Sequence, residues 1–310
     1  MIALSSILVD VDAIGTVHPA FDQAVAVAAR CGARLKIVDV LPWVPARVRH
    51  FVTADLEGEL LDHRRERLKA IAEDVQAVAV TTELLRGRPS VSLIQEVLRS
   101  GHDLLIRSHG RDLAAGPRPF GATDMELLRQ CPCPVWLIGP RTPRLPWRVL
   151  AAVHANPGDE TEQALNATIL DWALTLQGFA DGQLTVLQAW SAFGASVLRS
   201  RMSSEEFAVY LENARRAEDE ALAGLLEPFT ARLAGVAVEL VQGEPQDAIA
   251  RFVESHGIDV VVMGTVARTG IAGLVMGNTA ERVLQRLRGS VLAVKPPGFE
   301  TTVANPESTR

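Results

Sequence analysis

The chain has 310 residues, 48% of them hydrophobic and 22% charged, with 23 Gly and 17 Pro. That composition excludes a collagenous, coiled-coil or wholly disordered chain, and the length suits two domains, each large enough to bury a core. The net charge of -6 argues against a nucleic-acid or anionic-membrane binder, which would gather Lys and Arg into a positive footprint.

The opening MIALSSILVDVD has no basic flank and meets Asp10 and Asp12, so it reads as a strand and not as a secretion signal. No segment carries the 18 or more uncharged apolar residues of a membrane span. Cys31, Cys131 and Cys133 cannot all pair, and a cytoplasmic location is the expectation. Strands are expected at 6 to 11, 34 to 40, 78 to 85, 103 to 107 and 135 to 138, where apolar runs are nearly continuous. Helices are expected near 18 to 31, 53 to 76, 90 to 100 and 122 to 130. Cys131-Pro132-Cys133-Pro134 leaves a tetrahedral metal short of ligands and reads as a Pro-punctuated entry into the fifth strand; a redox site is the alternative.

The same order then repeats. LLRGRPSVSLIQEVLRSGHDLLIRS, from Leu84, has a counterpart in LVQGEPQDAIARFVESHGIDVVVMGT, from Leu240. Gly87 and Gly243, Gly121 and Gly277, and Val135 and Val291 share one offset of 156. Asp12 and His154 match at 142, so the second copy carries 14 more residues between its first and third strands, with Trp190 to Glu205 the expected place. Strands are expected near 148 to 153, 183 to 189, 236 to 241, 259 to 263 and 290 to 294, and a long helix from Ser203 to Leu233, with Ser203 or Ser204 as its cap. Strand and helix alternation implies two α/β units with parallel sheets, residues 1–140 and 147–296, joined by a Pro-rich linker and followed by a loose tail, 297–310.

After the fourth strand of the second unit comes GTVARTGIAGLVMGNTAE. A Gly-rich crossing from the carboxyl end of a parallel strand to a helix N-terminus offers free amides to an anion. Gly264, Thr265, Val266, Ala267 and Gly277 would present backbone to phosphate, Asn278 and Thr279 side-chain hydrogen bonds, and Arg268 charge at the rim. The alternative is that the glycines only permit a tight turn.

This string, together with FGATDMELLRQCPCPVW in the first unit, resembles the tandem members of the universal stress protein family, of the E type, over about residues 1 to 295. The resemblance implies two open five-stranded parallel sheets of order 3-2-1-4-5 with helices on both faces. It also implies association of the units as an intrachain pseudo-dimer through their fifth strands, and a stress-response role. Binding members of the family carry Gly-x2-Gly-x9-Gly-Ser/Thr after strand four and an Asp ending strand one, so ATP, ADP or AMP is the implied ligand. The second unit has His154 in place of that Asp, Ala267 for the second Gly and Asn278 for Ser/Thr. The first unit keeps Asp12 and Gly121, and Arg107 is aligned there with the first motif Gly. The second unit is therefore the better binding candidate.

Asp10 and Asp12 suggest a carboxylate pair, Arg107, His109 and Arg111 a cationic cluster, and Trp43 and Trp190 either lids or packing residues. The sequence holds no P-loop, no His-Glu-x2-His metal site, no first-strand dinucleotide fingerprint and no nucleophile beside a base. No catalytic or metal residue is assigned. The leading expectation is a noncatalytic regulatory protein; the alternatives are a nucleotide-hydrolysing or adenylyl-transferring enzyme, or a ligand-free scaffold for an unknown client protein.

Overall fold

A computed structural model of the chain describes residues 2–73, 75–109, 120–139, 145–265, 276–287 and 289–304. The first unit runs β1 (Ser6–Asp10), α1 (Pro19–Cys31), β2 (Arg34–Leu41), α2 (Ala54–Glu73), β3 (Val80–Arg86), α3 (Pro89–Ser100), β4 (Leu104–Ser108), α4 (Ala122–Gln130) and β5 (Val135–Ile138). The second runs β6 (Arg148–Val153), α5 (Glu160–Ala180), β7 (Gln183–Trp190), a single turn α6 (Ala195–Leu198), α7 (Ser204–Leu226), β8 (Ala237–Gln242), α8 (Pro245–His256), β9 (Val260–Gly264), α9 (Asn278–Leu284) and β10 (Ser290–Val294).

Local chemistry explains the punctuation. Pro89 and Pro245 open α3 and α8, where a missing N–H costs nothing, and Gly101 and Gly257 close them in the left-handed conformation at φ 64 and 60. Ser203 caps α7 in a reciprocal capping box with Glu206, and the Asp159 carboxylate caps α5 by accepting from the Glu162 amide.

Each unit forms a parallel sheet of order 3-2-1-4-5, and the two fuse into one ten-stranded sheet, β3-β2-β1-β4-β5-β10-β9-β6-β7-β8. The seam is the one antiparallel pairing among the described strands, with Leu137 opposite Val291, Trp136 opposite Leu292 and Val135 opposite Ala293. Trp136 and Leu292 are equivalent under the repeat offset of 156, so a pseudo-twofold axis passes between them. Strand side chains alternate between two cores that both run through the two units. Ile7, Val9, Val149 and Ala151 point to the layer under α1, α2, α5 and α7. Leu8 and Leu150 point to the layer under α3, α4, α8 and α9.

Two expectations need correction. The extra residues of the second unit are not concentrated between Trp190 and Glu205. The repeat offset grows from 142 at β1 and β6 (6 to 148) to 149 at β2 and β7 (34 to 183), and then to 157 at β3 and β8 (80 to 237). About half therefore lengthen α5, which has 21 residues against 13 in α1. Most of the rest extend α7 and the turn after it, because the β2–α2 and β7–α7 connections differ by one residue (42–53 against 191–203). The tail after Pro296 is also held as far as residue 304. Thr302 Oγ1 donates to Gln130 Oε1 at 2.7 Å, Gln95 Nε2 reaches Ala304 O at 3.4 Å, and Val303 packs against the core under α3, α4, α8 and α9.

Candidate functional site

In the second unit a cavity of about 380 Å³ opens where β6 and β9 end and the helices that follow them, α5 and α9, lie on opposite faces of the sheet. That topological switch point is where open parallel sheets bind ligands. Ala152, Ile249, Met263 and Val283 make an apolar floor; His154, Glu162, Asn278 and Thr279 bring polar groups to the mouth. Buried Asn166 fixes the strand exit: its Oδ1 accepts from the His154 amide at 3.1 Å and its Nδ2 donates to His154 O at 2.8 Å. The His154 ring is left exposed, with Nε2 4.0 Å from Glu162 Oε1.

The same place in the first unit holds an ion-paired bridge. Asp10 is the register partner of Arg107 in the β1–β4 pair, as Ala152 is of Met263 in the β6–β9 pair. The Arg107 guanidinium pairs with the Asp10 carboxylate and donates from Nε to Asp124 Oδ1 at 2.9 Å, while Asp124 Oδ2 accepts from the Gly121 amide at 2.9 Å. Burial alone would disfavour the guanidinium charge, but the two carboxylates more than reverse this and hold it protonated. At the offset of 156, Asp124 corresponds to Ala280, another residue of the cavity wall. An Asp–Arg–Asp bridge in one unit is thus Ala–Met–Ala in the other, and the second unit gains open volume where the first holds charge.

The universal stress protein family profile matches residues 4–139 and 157–295. The chain belongs to the universal stress protein family. It is 31% identical over 223 residues to universal stress protein E of Escherichia coli (strain K12), covering 70% of this chain and 68% of that protein. It is also 25% identical over 309 residues to universal stress protein E of Photorhabdus laumondii, covering 96% and 97%. Among solved structures, a functionally unknown protein from Pseudomonas aeruginosa PAO1 superposes with a TM-score of 0.67 at 26% identity, covering 95% of this chain and 93% of that one.

Within this universal stress protein the predicted residues separate. His154, Gly264, Gly277, Asn278 and Thr279 come together around the cavity. Val266, Ala267 and Arg268 lie outside the described residues, as does Arg111. Thr265 turns away: it is buried, its hydroxyl donates to Leu128 O of the first unit at 2.9 Å, and its amide bonds Val294 O. The Gly277 amide is likewise engaged with Thr265 O at 3.1 Å, so neither N–H is available to a phosphate. Gly264 has a packing reason as well, since a Cβ there would stand 2.5 Å from Leu165 Cδ2 of α5.

The alignment of Arg107 with the first motif glycine is corrected by strand register. β5 sets Ser108 opposite Ile138, and β10 sets Val294 opposite Gly264, so Ser108 is the counterpart of Gly264 and Arg107 that of Met263. The Ser108 hydroxyl accepts from the Ala20 amide in α1. Asp12 lies beyond β1, where Oδ1 accepts from the Ile14 amide and stands 3.9 Å from Arg64 Nη1. Asp10 and Asp12 therefore make no shared site: one is bound to Arg107, the other sits at the turn. Arg107 and His109 are not an open cationic cluster either, because His109 Nε2 lies 3.1 Å from Gly289 O across the seam. Trp190 is buried packing, whereas Trp43 is 62% exposed under the Arg86 guanidinium, 4.7 Å from the ring centre. Asn166, Glu162 and Asp124 went unnoticed in the sequence, since they stand on helices with no motif to mark them.

Proposed function

We propose that this stress-response protein is a noncatalytic cytoplasmic sensor of a nucleotide-sized phosphorylated ligand, bound in its second unit. The observation that carries the reading is the cavity at the β6–β9 switch point, set against the ion-paired counterpart in the first unit. About 380 Å³ falls in the range of small-molecule sites, and an apolar floor with a few polar groups at the rim suits a flat base with its sugar outward. His154 and Asn278 would meet the ribose or base edge, and Thr279 the phosphate. Among the described lining residues Glu162 is the one carboxylate and there is no Lys or Arg, which favours AMP over ATP at this site. No described helix is long and apolar enough to cross a membrane, and the described residues hold no group of three His, Cys, Asp or Glu suited to a metal.

Titration calorimetry with AMP, ADP and ATP tests the assignment. Parent protein should bind AMP most tightly. Gly277→Asp, which puts a carboxylate at the cavity mouth, should abolish binding, and the matching Gly121→Asp in the first unit should leave it intact. No binding by the parent at millimolar nucleotide, or equal losses from the two substitutions, would overturn it.

A further inference from the structure

Away from the nucleotide-sized cavity, at the turn that leads from α4 into β5, two cysteines lie in contact. Cys131 Sγ and Cys133 Sγ are 3.6 Å apart and share an S–H···S hydrogen bond, with no disulfide between them. Lys295, from the residue after β10 in the other unit, is buried beside them; its Nζ donates to Leu128 O at 2.9 Å and Cys131 O at 3.1 Å, and lies 4.9 Å from the Phe299 ring centre. A cavity of about 400 Å³ is bounded by Pro132, Cys133, Lys295, Phe299, His102 and Trp172, among others, so one of the two sulfurs belongs to a residue facing open space.

We propose that Cys131 and Cys133 form a redox-active dithiol that a small hydroperoxide entering this cavity converts to an intramolecular disulfide, with Lys295 as the cation of the site. The contact distance leaves a short approach to a bonded S–S separation of about 2.05 Å. A buried ammonium next to two thiols is the microenvironment that turns a structural cysteine into a reactive one. Burial lowers the Lys295 ammonium to about 8, and the two cysteines oppose that shift. Burial likewise disfavours a thiolate, but the hydrogen bond from Cys133 and the charge of Lys295 draw Cys131 below its ordinary value, while Cys133 is pushed up as the proton donor of the pair. His102 and Asp103 are the other titratable groups bordering the cavity.

The shared proton moves to Cys131, and the Cys133 thiolate attacks the terminal oxygen of the hydroperoxide. The O–O bond breaks, giving a sulfenic acid on Cys133 and an alkoxide or hydroxide that takes a proton from Lys295 and leaves. Cys131 sulfur then attacks the sulfenic sulfur; the S–S bond forms, the S–O bond breaks, and the departing hydroxide takes the Cys131 proton as water. The dithiol is oxidised by two electrons and the hydroperoxide reduced to an alcohol or water. A cellular dithiol would reverse the step by exchange. Because Leu128 and Cys131 carbonyls hold Lys295, the redox state of the turn would bear directly on how the first unit grips residues 295–304 of the second.

Hydrogen peroxide and the full-length protein provide the test, read by thiol counting through alkylation and by intact mass before alkylation. The expected product has lost two alkylatable thiols and 2 Da, with a Cys131–Cys133 link on peptide mapping and Cys31 still free. In Cys131→Ser a dimedone-trappable sulfenic acid should accumulate on Cys133. Lys295→Met should slow oxidation about tenfold at pH 7 and move the rate profile up to the ordinary thiol range near pH 8.5. Three thiols retained by wild-type protein under peroxide, oxidation confined to Cys31, intermolecular disulfides alone, or a Lys295→Met rate and pH profile equal to wild type would each overturn the proposal.

Discussion

Arg107 and Met263 occupy one register position in two copies of one fold, and the first is ion-paired where the second lines a cavity. Arg107 is held between carboxylates whose side chains are 4% and 6% exposed. Removing the cation alone strands both charges, so Arg107→Met should cost about 3–5 kcal/mol in denaturant unfolding. Replacing the whole bridge by the residues of the second unit, Asp10→Ala with Arg107→Met and Asp124→Ala, should cost less than the single change, because no buried charge is left unpaired. A triple variant less stable than Arg107→Met would show that the bridge contributes more than mutual neutralisation. At this scale the sequence was a partial guide. The Gly-rich string and the exit position of His154 were legible, but counting along a motif put Arg107 opposite the first glycine, one place out. Strand register, fixed by backbone pairing, has no such freedom.

The strands were legible as elements because helices cover both faces and leave runs of apolar residues, as in Ile7-Leu8-Val9 and Val260-Val261-Val262. The place of the second unit's extra residues was not. The longer α5 continues the same apolar period, so nothing in its pattern shows where the first unit's helix would have stopped. Polar networks between elements were hidden too, since their members are far apart in the chain. Glu96 of α3 is buried on Lys36 of β2, with Arg99, Ser100 and His102 around it. Burial alone would raise its pKa, yet hydrogen bonds from His102, Lys36 and Ser100 hold the carboxyl far below its ordinary 4.5. A carboxyl depressed in the folded state adds stability that is complete above the unfolded value and is lost as pH falls below about 4.5. Acid unfolding of wild-type protein should therefore steepen below that pH, and Glu96→Gln should be less stable at neutral pH but show a flatter acid limb. Parallel acid limbs for the two proteins would remove Glu96 from the account.

For the molecule as a whole, the β5–β10 seam makes two small sheets into one and leaves β3 and β8 as the outer edges. Val135, Trp136, Leu137, Val291, Leu292 and Ala293 are fully or almost fully buried there. Cutting the chain would expose this apolar edge on each piece, and unpaired edges invite pairing. Fragments 1–140 and 147–296 should self-associate alone and form a one-to-one complex when mixed, by sedimentation velocity at micromolar concentration. Two monodisperse monomers that ignore each other would contradict a structural role for the seam.

The proposed ligand site rests on one fold that holds an ion-paired bridge in its first copy and an open cavity in its second. It is tested most directly by moving the bridge across: Ala152→Asp, Met263→Arg and Ala280→Asp in one protein, titrated with AMP by calorimetry beside the parent. The account predicts a folded triple variant that gives no binding heat where the parent saturates. Binding retained at parental affinity by the triple variant, or absent from the parent itself, would contradict it.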